Sequence, residues 1–423
     1  MKIFLFFAFM MVVIVVNAQD TCFFEGSIEH NFQKLPLTIE YTHSQKDSLL
    51  LFFGSPSQTD SLLRANKAYL KGDSLLFQLK SANIIFRGRF HGEDTIIGLF
   101  KQGLLKTDLT FVRRQAKFHY NRPQTPNPPY PYLVEEVEFI NPKIPNYKFK
   151  GTLTMPKRGS NFPCVILISG SGIQNRDEEI YGHKPFLILA DHLTKCGVAV
   201  FRFDDRGYHS SDPKLLSATT LDYVTDVEAA ISAMKKHTKI NKSRIGLLGH
   251  SEGGLIAQII ASKDSTIKYT VLLAAPGLNG REVLRSQLEA IAKASDISQD
   301  SLSQLLAIQA KTLDKSTDKW TKTFLTLNPA DYLQNMRQPT LILQGLKDLQ
   351  IVADANLEAI KQNFGKKKGN NSLQVITFSE CNHLFQRCNT GLPSEYIDID
   401  MTLDPDILHH ISQFIRYHSG LRK

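Results

Sequence analysis

Clustered charge is scarce in this chain. Its 423 residues carry a net charge of +9, yet the one dense basic run is Lys366-Lys367-Lys368, within FGKKKGNNS. A nucleic-acid binder gathers its charge on one face or tail. The triplet reads instead as a solvated loop between a helix and a strand, so no nucleic-acid partner is expected. Internal repeats and low-complexity runs are missing as well. After the N-terminus no apolar run is long enough to span a bilayer. Ile3 to Val16 is apolar, but that run falls short of the ~20 residues a span needs. With Lys2 ahead of it and Val16-Asn17-Ala18 behind, it reads as an export signal (residues 1–18) cleaved after Ala18. The mature chain then starts at Gln19, has no membrane span and is periplasmic or extracellular. Asp20 and Thr21 stand where a lipoprotein signal wants small or apolar residues, which argues against a lipid anchor on Cys22. Cysteine is sparse and odd in number (Cys22, Cys164, Cys196, Cys381, Cys388), so at least one thiol stays unpaired. Export makes disulfides possible.

What remains is a globular composition, and a length sufficient for two or three domains. From residue 19 to 118 the pattern is short strands, among them Ser48–Phe53, Ser74–Leu79, Ile84–Phe90, Ile96–Phe100 and Leu109–Val112. Turn signals at Gly72, Gly92 and Gly103 separate several of them. Leu75, Phe77 and Leu79 alternate cleanly. This predicts a small antiparallel all-β barrel or sandwich. Residues 119–132, with five prolines in Asn121–Tyr132, can continue neither a helix nor a central strand and read as a stiff extended linker.

From residue 133 to 423 the period changes. Strands are expected at Lys148–Thr154, Val165–Ile168, Val198–Phe203, Ile245–Leu248, Tyr269–Ala274, Thr340–Leu343 and Leu373–Phe378. Helices are expected at Lys184–Lys195, Leu221–His237, Glu252–Ala261, Ala353–Phe364 and Pro405–Tyr417. Such alternation predicts an α/β fold, a doubly wound and mostly parallel sheet covered on both faces. Between Ala274 and Thr340 it breaks. Two amphipathic stretches, Arg281–Ala294 and Asp300–Leu313, predict a helical cap over about 276–338.

The most informative stretch is IGLLGHSEGG, Ile245–Gly254. A strand ends at Leu248, Gly249-His250-Ser251-Glu252-Gly253 is G-x-S-x-G, and an apolar helix follows. The glycines two residues either side of Ser251 relieve a strained turn and leave its hydroxyl exposed above the sheet. A serine needs a base, and the base needs an acid to fix its tautomer. In this topology they follow as acid, then histidine. Asp348 follows the strand ending at Leu343, and His383 follows the strand ending at Phe378, both at the sheet edge where catalytic groups gather. The rivals Asp354, His409 and His410 fall inside helices. His250 is expected to pack or line the pocket. The oxyanion needs two N–H donors. These are expected from Glu252 and from Ser171, with Gly170 as the alternative, in the loop Ser169-Gly170-Ser171-Gly172.

Residues 133–423 thus resemble the α/β-hydrolase superfamily, and most closely secreted bacterial serine esterases that carry a β domain ahead of the hydrolase. The resemblance rests on SGSGIQNRDE at Ser169–Glu178, FRFDDRGYHSSD at Phe201–Asp212, GHSEGG at Gly249–Gly254, LQGLKDLQIV at Leu343–Val352 and CNHLFQ at Cys381–Gln386. Tyr208-His209 replace a second glycine usual in the DxRGxGxS turn, where Asp205, Arg206 and Gly207 read as structural. Asn175–Glu178 are expected either to line the pocket or to form a salt-bridged loop. The resemblance implies an exported esterase acting through an acyl-enzyme, with no metal or organic cofactor. Its partner would be a small ester, an acylated carbohydrate among the possibilities. Two other readings stand beside it: a peptidase or amidase of the same fold, and a glycan- or lipid-binding protein with a vestigial hydrolase. Neither specificity nor oligomeric state is legible. Cys381 and Cys388 bracket His383, and export with six intervening residues predicts a disulfide between them.

Overall fold

The computed structural model describes residues 21–30, 33–43, 49–56, 62–103, 105–117, 120–370 and 372–421. The expected export signal at residues 1–18 lies outside the described residues. Two compact units meet in the sequence between residues 119 and 120.

In the first unit, β1 (Cys22–His30), β2 (Gln33–His43), β3 (Leu49–Gly54), β4 (Leu63–Arg64), β5 (Lys67–Lys71), β6 (Ser74–Leu79), β7 (Ile84–His91), β8 (Thr95–Gln102) and β9 (Leu105–Arg114) form one antiparallel sheet. Its order is β4-β3-β2-β1-β9-β8-β7-β6-β5. Strand alternation buries Leu75, Phe77 and Leu79 of β6, and the register sets Phe77 opposite Phe86 and Phe86 opposite Phe100. Phe53 on β3 and Phe77 on β6 lie near opposite edges of that order, yet their ring centroids are 5.4 Å apart. The sheet therefore curls into a half-barrel around a core of aromatic rings. Of the two expected architectures, the sandwich is excluded.

The second unit begins its sheet with β10 (Leu133–Ile140), β11 (Lys148–Met155), β12 (Phe162–Ile168) and β13 (Ala199–Phe203). It continues with β14 (Ile240–His250), β15 (Thr270–Leu273), β16 (Thr340–Gly345) and β17 (Leu373–Phe378). The order is β10-β11-β13-β12-β14-β15-β16-β17, antiparallel as far as β13 and parallel from there on. The helices are α1 (Pro185–Lys195), α2 (Pro213–Leu216), α3 (Thr220–Lys236), α4 (Glu252–Lys263), α5 (Gly280–Ala294), α6 (Gln299–Lys315), α7 (Lys319–Thr326), α8 (Pro329–Leu333), α9 (Ala353–Asn363) and α10 (Pro405–His418). Both faces of the sheet are apolar. Ile166, Leu247 and Leu272 pack with α3, α4 and α9, while Val165, Leu248 and Val271 pack with α1 and α10. This is the doubly wound sheet that the sequence predicts.

Two expectations need correction. β10 was not among the expected strands. It is an edge strand whose exposed Glu135, Glu136 and Glu138 mask the apolar pattern. The proline-rich segment, expected to be a stiff extended linker, is a strap bonded to the second unit. Proline has no N–H to donate, so side chains do the bonding. Arg122 donates to the carbonyls of Tyr181 (3.0 Å), Ile399 (3.1 Å) and Ile397 (2.9 Å). Gln124 Oε1 accepts from Thr402 and Leu403 N–H, and Tyr132 Oη donates to Asp191.

A chain beginning at Tyr120 is therefore expected to fold alone, and one beginning at Leu133 to be markedly less stable. Within the longer chain, Arg122→Ala is expected to cost on the order of 2 kcal/mol, because three carbonyls lose a charged donor. Urea unfolding of the three chains measures both effects.

Candidate active site

Strand β14 ends at His250, and α4 starts at Glu252. Between them Ser251 adopts φ 53° and ψ −121°, a conformation that residues with a side chain seldom enter. The backbones around it are nearly in contact. A Cβ on Gly249 would overlap the carbonyl of Gly253, and a Cβ on Gly253 would overlap that of Ile168. Ser251 N–H donates to Leu273 O of β15 at 2.9 Å, tying the turn to its neighbouring strand. Its Oγ makes no hydrogen bond among the described residues.

Asp348 and His383 meet. The Asp348 side chain is fully buried, and its Oδ2 accepts from His383 Nδ1 at 2.8 Å and from Gln344 Nε2 at 2.9 Å. Its Oδ1 accepts the N–H groups of Gln350 and Ile351, each at 2.8 Å. Four donors thus converge on one buried carboxylate, and its acceptance from Nδ1 fixes His383 with the proton on that nitrogen. The lone pair of Nε2 is thereby left available, and this atom too makes no hydrogen bond among the described residues. Asn382 holds the loop, its Oδ1 accepting from the N–H groups of Leu384 and Gln386. The rivals lie elsewhere: Asp354 is exposed at the start of α9, and His409 and His410 sit on α10.

His250 joins this group. Buried beside Ser251, it lies with its ring centroid 4.8 Å from that of His383. Its Nδ1 is 2.9 Å from Glu178 Oε1, and its Nε2 is 3.0 Å from the His383 carbonyl. Burial opposes its charge, but the Glu178 carboxylate outweighs that effect and holds its pKa above the ordinary histidine value. Glu178 also takes the N–H of Gly170 at 2.7 Å. Gly170 therefore cannot offer that N–H to a substrate, which removes it as a donor. The N–H groups of Ser171 and Glu252 have no partner among the described residues. Ser169 Oγ donates to Asp205, which also accepts from Gln174 N–H, and Arg206 forks onto Asp226. These bonds brace the loop after β12, consistent with the structural role expected for Asp205 and Arg206.

Ser171, Ser251 and Glu252 open onto a cavity of about 190 Å³, roofed by Val283, Leu284 and Gln287 of α5 and by Trp320 and Phe324 of α7. The cap holds four helices rather than the two expected. Helices α7 and α8 are too short to show a clear period. Trp320, the one tryptophan of the chain, stacks on Phe324 and donates its indole N–H to both carboxylate oxygens of Glu252, at 2.9 and 3.0 Å. Thr220 Oγ1 donates to the same carboxylate. No sequence pattern marks a role for the Glu252 side chain or for Trp320. Among the described residues no cluster of side chains is arranged to hold a metal.

The expected disulfide is not formed, and Cys381 and Cys388 are both free thiols. Cys381 pairs with Arg387 across an isolated antiparallel bridge, so Cys388, next along, points to the other side. Cys381 Sγ faces Asp404, and Cys388 Sγ faces the Glu380 carbonyl. Burial is the main cause that pushes their pKa values up to about 12 and about 11.

Residues 184–330 match the family described as serine aminopeptidase, S33 (Hydrolase_4). The chain is similar to esterase EstD of Thermotoga maritima, 25% identical over 284 residues, a match that spans 65% of this chain and 65% of that relative. Among solved structures it is similar to the esterase Pf2001 of Pyrococcus furiosus, at 17% identity and a TM-score of 0.48, covering 71% of this chain and 98% of that one. It is also similar to Est1E of Butyrivibrio proteoclasticus, at 16% identity and a TM-score of 0.45, covering 67% of this chain and 99% of that one.

Two measurements follow. Denatured, unreduced protein is expected to take up alkylating agent at both Cys381 and Cys388, and a linked peptide pair in its digest would contradict the free thiols. The second concerns His183, buried against Thr402 and Gln386 next to the His383 loop. Burial, with Arg122 nearby, lowers its pKa to about 4. Between pH 6.5 and 4 the unfolded chain holds a proton there that the folded chain rejects. Its contribution is thus complete above the unfolded value and lost as pH falls through this window. Urea midpoints should drop over that range, and less steeply in His183→Gln.

Proposed function

We propose that this α/β-hydrolase is a serine-dependent carboxylic ester hydrolase with Ser251, His383 and Asp348 as its triad. The observation that carries the reading is the pair His383–Asp348, which leaves Nε2 as an unengaged base at the same sheet edge as a serine held on a strained turn. Ser251 Oγ attacks the ester carbonyl carbon while its proton passes to His383 Nε2. The oxyanion accepts the N–H groups of Glu252 and Ser171, both free of other partners, and the first lies at the N-terminus of α4, where the helix dipole favours negative charge. Collapse expels the alcohol, which takes the proton from His383. Water, deprotonated by the same nitrogen, then attacks the acyl-enzyme and releases the acid. The Ser251–His383 contact is not closed here, and catalytic bonds of unliganded sites often tighten only with substrate.

The cavity beneath the cap is smaller than the ~300–1,000 Å³ of pockets for drug-sized ligands, which favours acyl groups of a few carbons. A second reading comes from the family description, an aminopeptidase. Such an enzyme needs a free carboxylate for the substrate ammonium, and the carboxylate at this cavity, Glu252, is already bonded to Trp320 and Thr220. The similarity to an esterase supports the ester reading. Export through residues 1–18, with the mature chain beginning at Gln19, belongs to this proposal, and N-terminal sequencing of secreted protein tests it.

Ser251→Ala is expected to stay folded and to lose at least ~10³-fold in turnover of p-nitrophenyl acetate; a folded variant that keeps most activity refutes the nucleophile. Trp320→Ala should shift preference toward longer acyl chains, read as kcat/KM across a chain-length series. Faster turnover of aminoacyl p-nitroanilides than of p-nitrophenyl esters would favour the aminopeptidase.

A further inference from the structure

We propose that His250 is a buried imidazolium that acts as a positioning residue, binding the oxyanion loop to the loop of the base and setting a fixed positive charge against His383. The proposal rests on the reading of Ser251, His383 and Asp348 as the catalytic triad.

The donors and acceptors around His250 fix its charge. His250 Nε2 is 3.0 Å from the His383 carbonyl, which can only accept, so Nε2 carries a proton. Nδ1 is 2.9 Å from Glu178 Oε1. An ionised carboxylate also only accepts, so Nδ1 carries a proton too. The alternative is a neutral pair with the proton on Glu178. Two further bonds weigh against it. Glu178 Oε1 receives the Gly170 N–H at 2.7 Å, which stabilises the carboxylate, and the His383 carbonyl stabilises the imidazolium. With 9% and 6% of their side chains exposed, the two groups face each other almost unscreened by water. The charged groups facing His250 are Glu178 from the loop after β12, His383 from the loop after β17 and, through His383, Asp348 from the loop after β16. The raised pKa of His250 agrees with this charge.

One chain of bonds results: Gly170 N–H to Glu178, Glu178 to His250, and His250 to the backbone of His383. Gly170 adjoins Ser171, and His250 adjoins Ser251. Three segments that each carry a reacting group therefore share one ionic node. The node also has an electrostatic effect. His250 is in ring contact with His383, whereas Glu178 makes no hydrogen bond or ion pair with His383 and reaches it only through His250. The cation thus stands beside the ring that takes up the serine proton in the proposed mechanism.

Glu178→Gln and His250→Gln test this by two readouts. In protein labelled with ¹⁵N-histidine, one ring protonated at both nitrogens is expected at pH 8, absent in His250→Gln and neutral in Glu178→Gln. In kinetics, the acid limb of kcat/KM for p-nitrophenyl acetate should move up by at least about half a pH unit in both variants, since each removes the cation nearest His383. A limb that stays in place while kcat falls would reduce His250 to a packing residue. A downward move in Glu178→Gln would mean that an anion alone had been removed, with His250 neutral in the parent. Either result overturns the proposal, as does a wild-type spectrum with His250 neutral at pH 8, which can be read even where a variant fails to fold. Ester turnover absent from a folded wild type that does show the imidazolium would instead refute the esterase reading and leave the charge assignment standing.

Discussion

Everything at the sheet edge depends on how closely three pieces of backbone approach each other. The end of β14, the first turn of α4 and the end of β12 meet where Gly249 and Gly253 would collide with carbonyls if they carried a Cβ. That approach forces Ser251 to positive φ, and the strain persists because parallel pairing of β14 with β12 and β15 over-determines its position. It also fixes where α4 begins, with Gly253 packed against the carbonyls of Ile168 and Ser169 at the end of β12. The serine, the amide of Glu252 and the loop of Ser171 are therefore placed by one constraint. Relaxing it would displace all three together.

Ions do the second part of the work, mostly out of water. Asp348 is saturated by four donors, and Arg206 forks onto Asp226. Isolated buried charges are very costly, and these are tolerated because nearly every lone pair has a donor. The result is a rigid rim around a cavity whose roof is built differently. The cap helices sit on apolar contacts and on the bond from Trp320 to Glu252.

Much of this was legible in the sequence because each group of the proposed triad stands directly after a strand. G-x-S-x-G between a strand and a helix placed Ser251, and the loops after Leu343 and Phe378 placed Asp348 and His383. What escaped did so for definable reasons. In β10, glutamates on the exposed side hide the apolar positions. The segment at Asn121–Tyr132 shows stiffness through its prolines, but its partners, such as the Ile397 and Ile399 carbonyls, are more than 270 residues away in sequence. Glu178 and His250 are 72 residues apart, and their pairing follows from packing that no local pattern encodes. Cys381 and Cys388 have a spacing suited to a bridge, and only the alternation across the Cys381–Arg387 pair shows that their thiols diverge.

The bond between Trp320 and Glu252 has a spectroscopic consequence. A chain with a single indole emits tryptophan fluorescence from one place, and here that place is a cap helix fastened to the residue after Ser251. Movement of α7 away from the carboxylate would change the polarity and quenching around that indole and little else that emits at those wavelengths. The protein thus holds its own optical gauge of cap position, readable in the unmodified chain.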